Sequence, residues 1–165
     1  MSGLSARVGT GSEGPSLFDS ITEMPRIMLE VTGLTALWGS LIAQAPRGES
    51  HPVLVLPGFM GGDDSTLMLR RFITRLGYRS IPWLQGTNTG NPEQLEALMY
   101  RFYRLYRSHG SELTIIGQSL GGVYAREIAK EFPEAVRVVM TLGSPYRAIC
   151  SGTTSPLLEQ LFHQR

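Results

Sequence analysis

The sequence is poor in cysteine, histidine and charged residues. Its single cysteine, Cys150, excludes an internal disulfide framework and is typical of a reducing compartment, so we expect a cytoplasmic protein. Charged residues make up 18% of the chain and the net charge is +1, which excludes a basic nucleic-acid-binding surface. No apolar run is long enough to predict a transmembrane helix, and Met1–Gly14 lacks the apolar core of a signal peptide. No residue cluster predicts a metal site, and no motif predicts a cofactor.

The N-terminal third predicts a tail and a helix before the main domain. Residues 1–19 are small and polar, so we expect them to be disordered. Apolar residues then recur at helical spacing, which predicts an amphipathic helix over residues 20–45. This helix would pack on the domain; because residues 31–45 carry no charge, a docking surface for a membrane or a partner is the alternative. After a short linker, residues 51–165 would form the core domain.

Strands alternate with helices along the core domain. The expected strands are Val53–Leu56, Tyr78–Trp83, Leu113–Ile116 and Ala135–Leu142, and the expected helices are Thr66–Leu76, Pro92–His109 and Leu120–Phe132. This alternation predicts an α/β fold with a parallel sheet and right-handed crossovers. Such sheets carry their sites at the carboxyl ends of the strands, where Gly58, Gly117 and Gly143 lie.

The segment from Gly117 to Gly121 reads Gly-Gln-Ser-Leu-Gly and matches the G-x-S-x-G motif. An apolar strand precedes it and a helical pattern follows, which is the context of a sharp turn that presents a nucleophilic serine. We therefore expect Ser119 to adopt a positive φ and to be the nucleophile. Gly117 and Gly121 would be the elbow glycines, since side chains there would collide across the turn.

Two backbone N–H groups are candidates for an oxyanion hole. One belongs to Leu120, directly after the expected nucleophile, and the other to Phe59, on the loop that leaves the first strand. The glycines around Phe59 let the backbone approach a substrate closely. A plain glycine-rich loop remains the alternative interpretation of this segment.

The acid and the histidine of a catalytic triad are not found. The only histidine after Ser119 is His163, which could pair with Glu159 on one helical face, although a solvated helix end explains both residues equally simply. His51 and His109 are expected at the opposite edge of the sheet. The pair Asp63–Asp64 is expected to cap the helix that follows it.

Two segments together resemble the central part of an α/β-hydrolase of the bacterial esterase or lipase kind. They are Val53–Gly62 and Ile116–Gly122, and Leu142–Pro145 adds to them. The resemblance implies a partial α/β-hydrolase fold, mainly a parallel sheet with flanking helices, preceded by an N-terminal helix. It also implies Ser119 as nucleophile and Phe59 as an oxyanion donor. Family members carry the acid and the histidine on two further strands, so we expect this chain to be C-terminally incomplete.

The resemblance implies a serine hydrolase that forms an acyl-enzyme on Ser119 from a small-molecule or lipid ester. As a truncated chain it would be weak or inactive. An acyltransferase and a non-catalytic binding protein that keeps the pocket are the alternatives. Missing strands would leave Val136–Leu142 as an apolar edge, through which the chain would self-associate.

Overall fold

The computed structural model describes residue 33 and residues 37–144. The chain divides into two compact units, Met1–Gln44 and Ala45–Arg165. In the first unit residues 37–44 are helical, and the Gln44 side chain donates to Ser40 Oγ at 2.7 Å. The predictions for residues 1–19, for most of the helix over 20–45 and for everything after residue 144 lie outside the described residues. In the part that is described, no helix has the length and apolar character needed to cross a membrane.

The second unit contains a four-stranded parallel sheet with flanking helices. Its strands are β1 (Pro52–Leu56), β2 (Arg79–Ile81), β3 (Leu113–Gln118) and β4 (Val136–Leu142), and its helices are α1 (Leu67–Arg75), α2 (Pro92–His109) and α3 (Leu120–Glu131). The strand order is β2-β1-β3-β4, and every neighbouring pair is parallel. The predicted α/β fold is therefore confirmed.

The two central strands are the ones that end at the candidate site. β1 and β3 are adjacent, and Leu56 at the end of β1 pairs with Gly117 near the end of β3. Every residue of β1 is buried, which explains why the strand is apolar on both faces rather than alternating. The loops that follow β1 and β3 consequently leave the same edge of the sheet side by side.

Helices cover the two faces of the sheet unequally. On one face α2 contributes Leu98 and Phe102, and α3 contributes Val123 and Ile128, to the larger buried cluster. The smaller cluster on the other face includes Ile73 from α1 and three side chains of the central strands. Helix α2 begins at an Asn91 cap, whose side chain accepts from the Glu93 N–H at 2.9 Å.

Two local expectations are wrong in the same region. Strand β2 ends at Ile81 rather than Trp83, because the Trp83 N–H donates to the Asp63 carboxylate at 2.8 Å instead of to a strand. Asp63 was expected to cap α1, but its carboxylate bonds to the loop after β2 instead and does not cap the helix. The cap position of α1 is Thr66, which makes no side-chain capping bond.

Strand β4 forms one edge of the sheet and leaves apolar side chains in contact with solvent. Val138, Met140 and Leu142 are 40%, 49% and 46% exposed. Because its other side pairs with no strand among the described residues, β4 offers both backbone groups and apolar surface to a further strand.

Candidate active site

Ser119 occupies the turn between β3 and α3 with φ +49° and ψ −116°. The predicted positive φ is confirmed, and it is costly for a residue with a side chain. Two backbone hydrogen bonds hold the turn: the Ser119 N–H donates to Leu142 O at 2.8 Å, and the Gly122 N–H donates to Ser119 O at 3.0 Å. The first of these fixes the end of β4 against the turn, so the strained serine is held by two strands as well as by the helix.

The two elbow glycines lie where a side chain could not fit. A Cβ atom added to Gly117 would collide with the carbonyl oxygen of Gly121. One added to Gly121 would lie 2.6 Å from Leu56 O and 2.7 Å from Pro57 O. Because the colliding atoms belong to the backbone, no rotamer change could relieve the contacts. The close approach of β1 to the start of α3 depends on these glycines.

The loop after β1 forms a tight turn directly against the serine. The Gly61 N–H donates to Gly58 O at 3.0 Å, and Met60, at the third position of this turn, has φ +59°. A Cβ added to Gly58 would lie 3.2 Å from Ser119 Cβ. The peptide that carries the Phe59 N–H is therefore next to the serine.

The backbone N–H groups of Phe59 and Leu120 are the candidate oxyanion donors. Within the described residues neither the Phe59 N–H nor the Leu120 N–H donates a hydrogen bond. Leu120 is the first residue of α3, where the N–H groups have no partner inside the helix. The side chains of Phe59 and Leu120 both approach Gly90, at 3.7 Å and 3.6 Å from the position that a Cβ would take there. Their roles as oxyanion donors, like that of Ser119 as nucleophile, stay predictions.

The histidines that the structure describes lie away from Ser119. His51 precedes β1, and its Nε2 is 2.9 Å from Oγ1 of Thr114, at the amino end of β3. Burial, and secondarily Arg137, lower the pKa of His51 below its usual value. His109 ends α2 just before β3 begins, at the same edge.

The remaining pair of candidates, Glu159 and His163, lies outside the described residues. Within residues 37–144, no group of three or more His, Cys, Asp or Glu side chains is arranged to hold a metal ion.

Asn88 and Asp63 bond to the loops beside the site, and neither role could be inferred from the sequence. Asn88 is completely buried, and its side chain donates to Pro57 O at 2.9 Å. Asp63 accepts from the N–H groups of Trp83 and Leu84 at the start of the same loop. In the sequence Asn88 belongs to a polar, glycine-bearing loop, and single polar residues in such loops carry no periodic signal.

The sequence matches no protein-family model and is similar to no curated protein. Solved structures are similar to it in three dimensions. A monoacylglycerol lipase from Paleococcus ferrophilus is 17% identical, with a TM-score of 0.52 over 70% of this chain and 46% of that chain. A lipase from Bacillus licheniformis, in its mature form, is 16% identical, with a TM-score of 0.49 over 62% of this chain and 44% of that chain. An α/β hydrolase from the metagenome of lagoon sediments at Mar Chica, Morocco, is 21% identical, with a TM-score of 0.47 over 70% and 51%.

The likeness to the first of these structures, together with the parallel sheet and its turn, shows that the chain has part of the α/β-hydrolase fold. The chain spans about half the length, or less, of the solved structures that it resembles, between 44% and 51% for these three.

Proposed function

We propose that the protein is a serine hydrolase that acts on carboxylic esters through an acyl-enzyme on Ser119. The observation that carries the proposal is the conformation of this serine. It has a positive φ at the junction of β3 and α3, with the Gly58 turn packed against it. A strained serine at the carboxyl edge of a parallel sheet is the arrangement in which such folds present a nucleophile.

The proposed reaction uses the two free N–H groups. Ser119 Oγ attacks the acyl carbon and loses its proton, and the negative charge develops on the former carbonyl oxygen. The N–H groups of Phe59 and Leu120 donate to that oxygen, and each such donor contributes on the order of 3 kcal/mol to the transition state. The alcohol leaves with a proton, and water then releases the acid and restores the serine.

The serine also needs a base, which the described residues do not place beside it. Without a base the hydroxyl stays protonated and is a poor nucleophile. Binding and oxyanion contacts alone still accelerate such reactions by about 10³ to 10⁴ over water. We therefore expect slow but measurable chemistry from this chain by itself.

The surface beside the serine favours an apolar substrate. Phe59 and Met60 form the tip of the turn and are 45% and 66% exposed. Their side chains offer an apolar contact for an acyl or alkyl group bound next to Ser119. A small or lipid ester with an apolar acyl chain is the substrate class that we propose.

Covalent labelling tests the proposal. The chain would be incubated for hours with an aryl fluorophosphonate, and the adduct would be located by intact-protein and peptide mass spectrometry. Slow labelling at Ser119 alone is expected, and Ser119→Ala should abolish it. Ser144→Ala is the matched control, since Ser144 is a second serine against the elbow, next to Gly122. Labelling that survives in Ser119→Ala, or no labelling of a folded chain, would contradict the proposal.

Hydrolysis of p-nitrophenyl esters tests whether residues outside the described part of the chain supply a base. We expect turnover that is slow but above the rate in buffer alone, and unchanged by His163→Ala or Glu159→Ala. Rapid turnover that either substitution abolishes would contradict this expectation and would identify these two residues as the base and its partner.

A further inference from the structure

The loop between β2 and α2 contains Asn88, which contacts the turn after β1 at several points. This turn runs from Gly58 to Gly61 and carries the Phe59 N–H. The side chain of Asn88 is fully buried, and its Nδ2 donates to Pro57 O at 2.9 Å. Its Oδ1 accepts from the Gly90 N–H at 3.2 Å. Both ends of this amide are therefore used, as the burial of a polar group requires.

The backbone of Asn88 bonds to the same turn. The Met60 N–H donates to Asn88 O at 2.7 Å, and the Asn88 N–H donates to Gly61 O at 2.8 Å. With the side-chain bond to Pro57, three hydrogen bonds join Asn88 to the turn that begins at the end of β1. They hold Met60 in its left-handed conformation, which is strained for a residue with a side chain.

These bonds fix the Phe59 N–H without using it. That N–H belongs to the peptide between Gly58 and Phe59. The peptide before it carries the Pro57 carbonyl, and the peptide after it carries the Met60 N–H, and Asn88 binds both. The middle peptide is thus restrained on both sides while its own N–H stays free for a ligand. Donors held in place before the substrate arrives need no reorganisation during the reaction.

Asn88 itself is anchored to helix α2. Gln94 Oε1 accepts from the Thr89 N–H at 3.0 Å, and Gln94 Nε2 donates to Thr87 O at 2.8 Å. The residues on either side of Asn88 are therefore tied to the helix. A rigid support of this kind is what a precisely placed donor requires.

We propose that Asn88 is a positioning residue that directs the Phe59 N–H towards Ser119. This proposal rests on the proposed hydrolase function, because it concerns the same oxyanion site. Asn88 touches neither the substrate nor the serine. It acts through Pro57 and Met60, and its loss should lower the rate of the covalent step more than the binding of the reagent.

The test compares Asn88→Asp with a control from the same loop. At neutral pH the aspartate keeps an acceptor for Gly90 but cannot donate to Pro57 O, and its charge faces that carbonyl. When protonated, it regains a donor. The control is Asn91→Ala, which removes the cap of α2 and makes no contact with the turn. Melting curves would confirm that every variant is folded at the assay temperature.

The first measurement is the rate of Ser119 labelling at increasing fluorophosphonate concentration. We expect the limiting rate of Asn88→Asp to fall about tenfold or more, since misplacing a catalytic group typically costs up to about a hundredfold. The half-saturating concentration should stay the same. Relative to the unaltered chain at each pH, the rate should recover as the pH falls, and Asn91→Ala should behave like the unaltered chain. Equal limiting rates in Asn88→Asp and the unaltered chain would overturn the inference and leave the proposed function intact.

The second measurement is the hydrogen exchange of the Met60 amide, which does not depend on activity. If Asn88 holds the turn, the Met60 amide should exchange about tenfold faster or more in Asn88→Asp than in Asn91→Ala, because its exchange reports the local opening of the turn. Unchanged exchange would overturn the inference. If no chain labels at Ser119, the proposed function fails, and this measurement alone decides whether Asn88 holds the turn.

Discussion

Removing the Asp63 carboxylate should destabilise the protein, although the residue lies partly in contact with solvent. Its Oδ1 accepts from the Trp83 N–H at 2.8 Å, and its Oδ2 accepts from the Leu84 N–H at 2.9 Å. Leu84 has φ +56°, so the carboxylate holds a strained residue where the chain leaves β2. The Arg70 guanidinium lies 3.9 Å from the same carboxylate.

The size of the effect follows from these contacts. A hydrogen bond to a charged group contributes about 1.5 to 3 kcal/mol. The Asp63 side chain is 27% exposed, so the lower half of that range applies. The Arg70 ion pair adds at most about 1 kcal/mol at this exposure. We therefore expect the loss of both hydrogen bonds and the ion pair in Asp63→Ala to lower the free energy of unfolding by about 3 to 5 kcal/mol, which corresponds to roughly 6 to 20 °C in Tm for a chain of this size.

Urea and thermal unfolding would measure the loss. Asp64→Ala is the matched control: Asp64 is the exposed neighbour, and its substitution should change the free energy of unfolding by less than about 0.5 kcal/mol. Asp63→Asn keeps one acceptor and should fall between the two. An equal loss in Asp63→Ala and Asp64→Ala would refute the assignment of Asp63 as the anchor of this loop.

Three further predictions concern the sheet and its ends. Gly121→Ala would place a Cβ 2.6 Å from Leu56 O, so we expect little folded protein by circular dichroism; a native melting curve would disprove the steric argument. Burial, followed by Arg137, lowers the pKa of His51 below 6.5, so the stability it contributes is present above that pH and is lost as the pH falls through the lowered pKa. Between about pH 7.5 and pH 5, Tm should fall less in His51→Gln than in the unaltered chain. An equal fall in both would show that His51 does not cause this pH dependence. The apolar β4 edge should promote self-association at micromolar concentration, and Met140→Lys should reduce it; monomers of both forms in sedimentation would rule this out.

The central strands and the turn between β3 and α3 were predictable because their signals are local. Leu113–Ile116 is apolar except for Thr114 and is followed directly by a glycine, a composition typical of a buried parallel strand. The positive φ of Ser119 followed from the flanking glycines. These features depend on residues a few positions apart, and they were recovered with errors of one or two residues at most.

The loop after β2 could not be predicted, because it depends on contacts between distant parts of the chain. The end of β2 is set by Asp63, which precedes α1, and the turn that carries Phe59 is hydrogen-bonded to Asn88, which precedes α2. Hydrogen bonds of this kind follow no hydrophobic period, and Asp or Asn before a helix is ordinarily interpreted as a cap. The capping prediction for Asp63 was wrong for this reason.

The adjacency of β1 and β3 determines when during folding the site can exist. Phe59 follows one strand and Ser119 follows the other, and α1, β2 and α2 all lie between them in the chain. Two parallel strands can pair only after the segment that connects them has folded back along the sheet. Closing such a long loop is slow and entropically costly. A nascent chain that has not yet completed β3 therefore has the turn that carries Phe59 but no serine to place beside it. Reactivity at Ser119 should appear late in refolding, after the first helical signal, and would report the closure of the sheet.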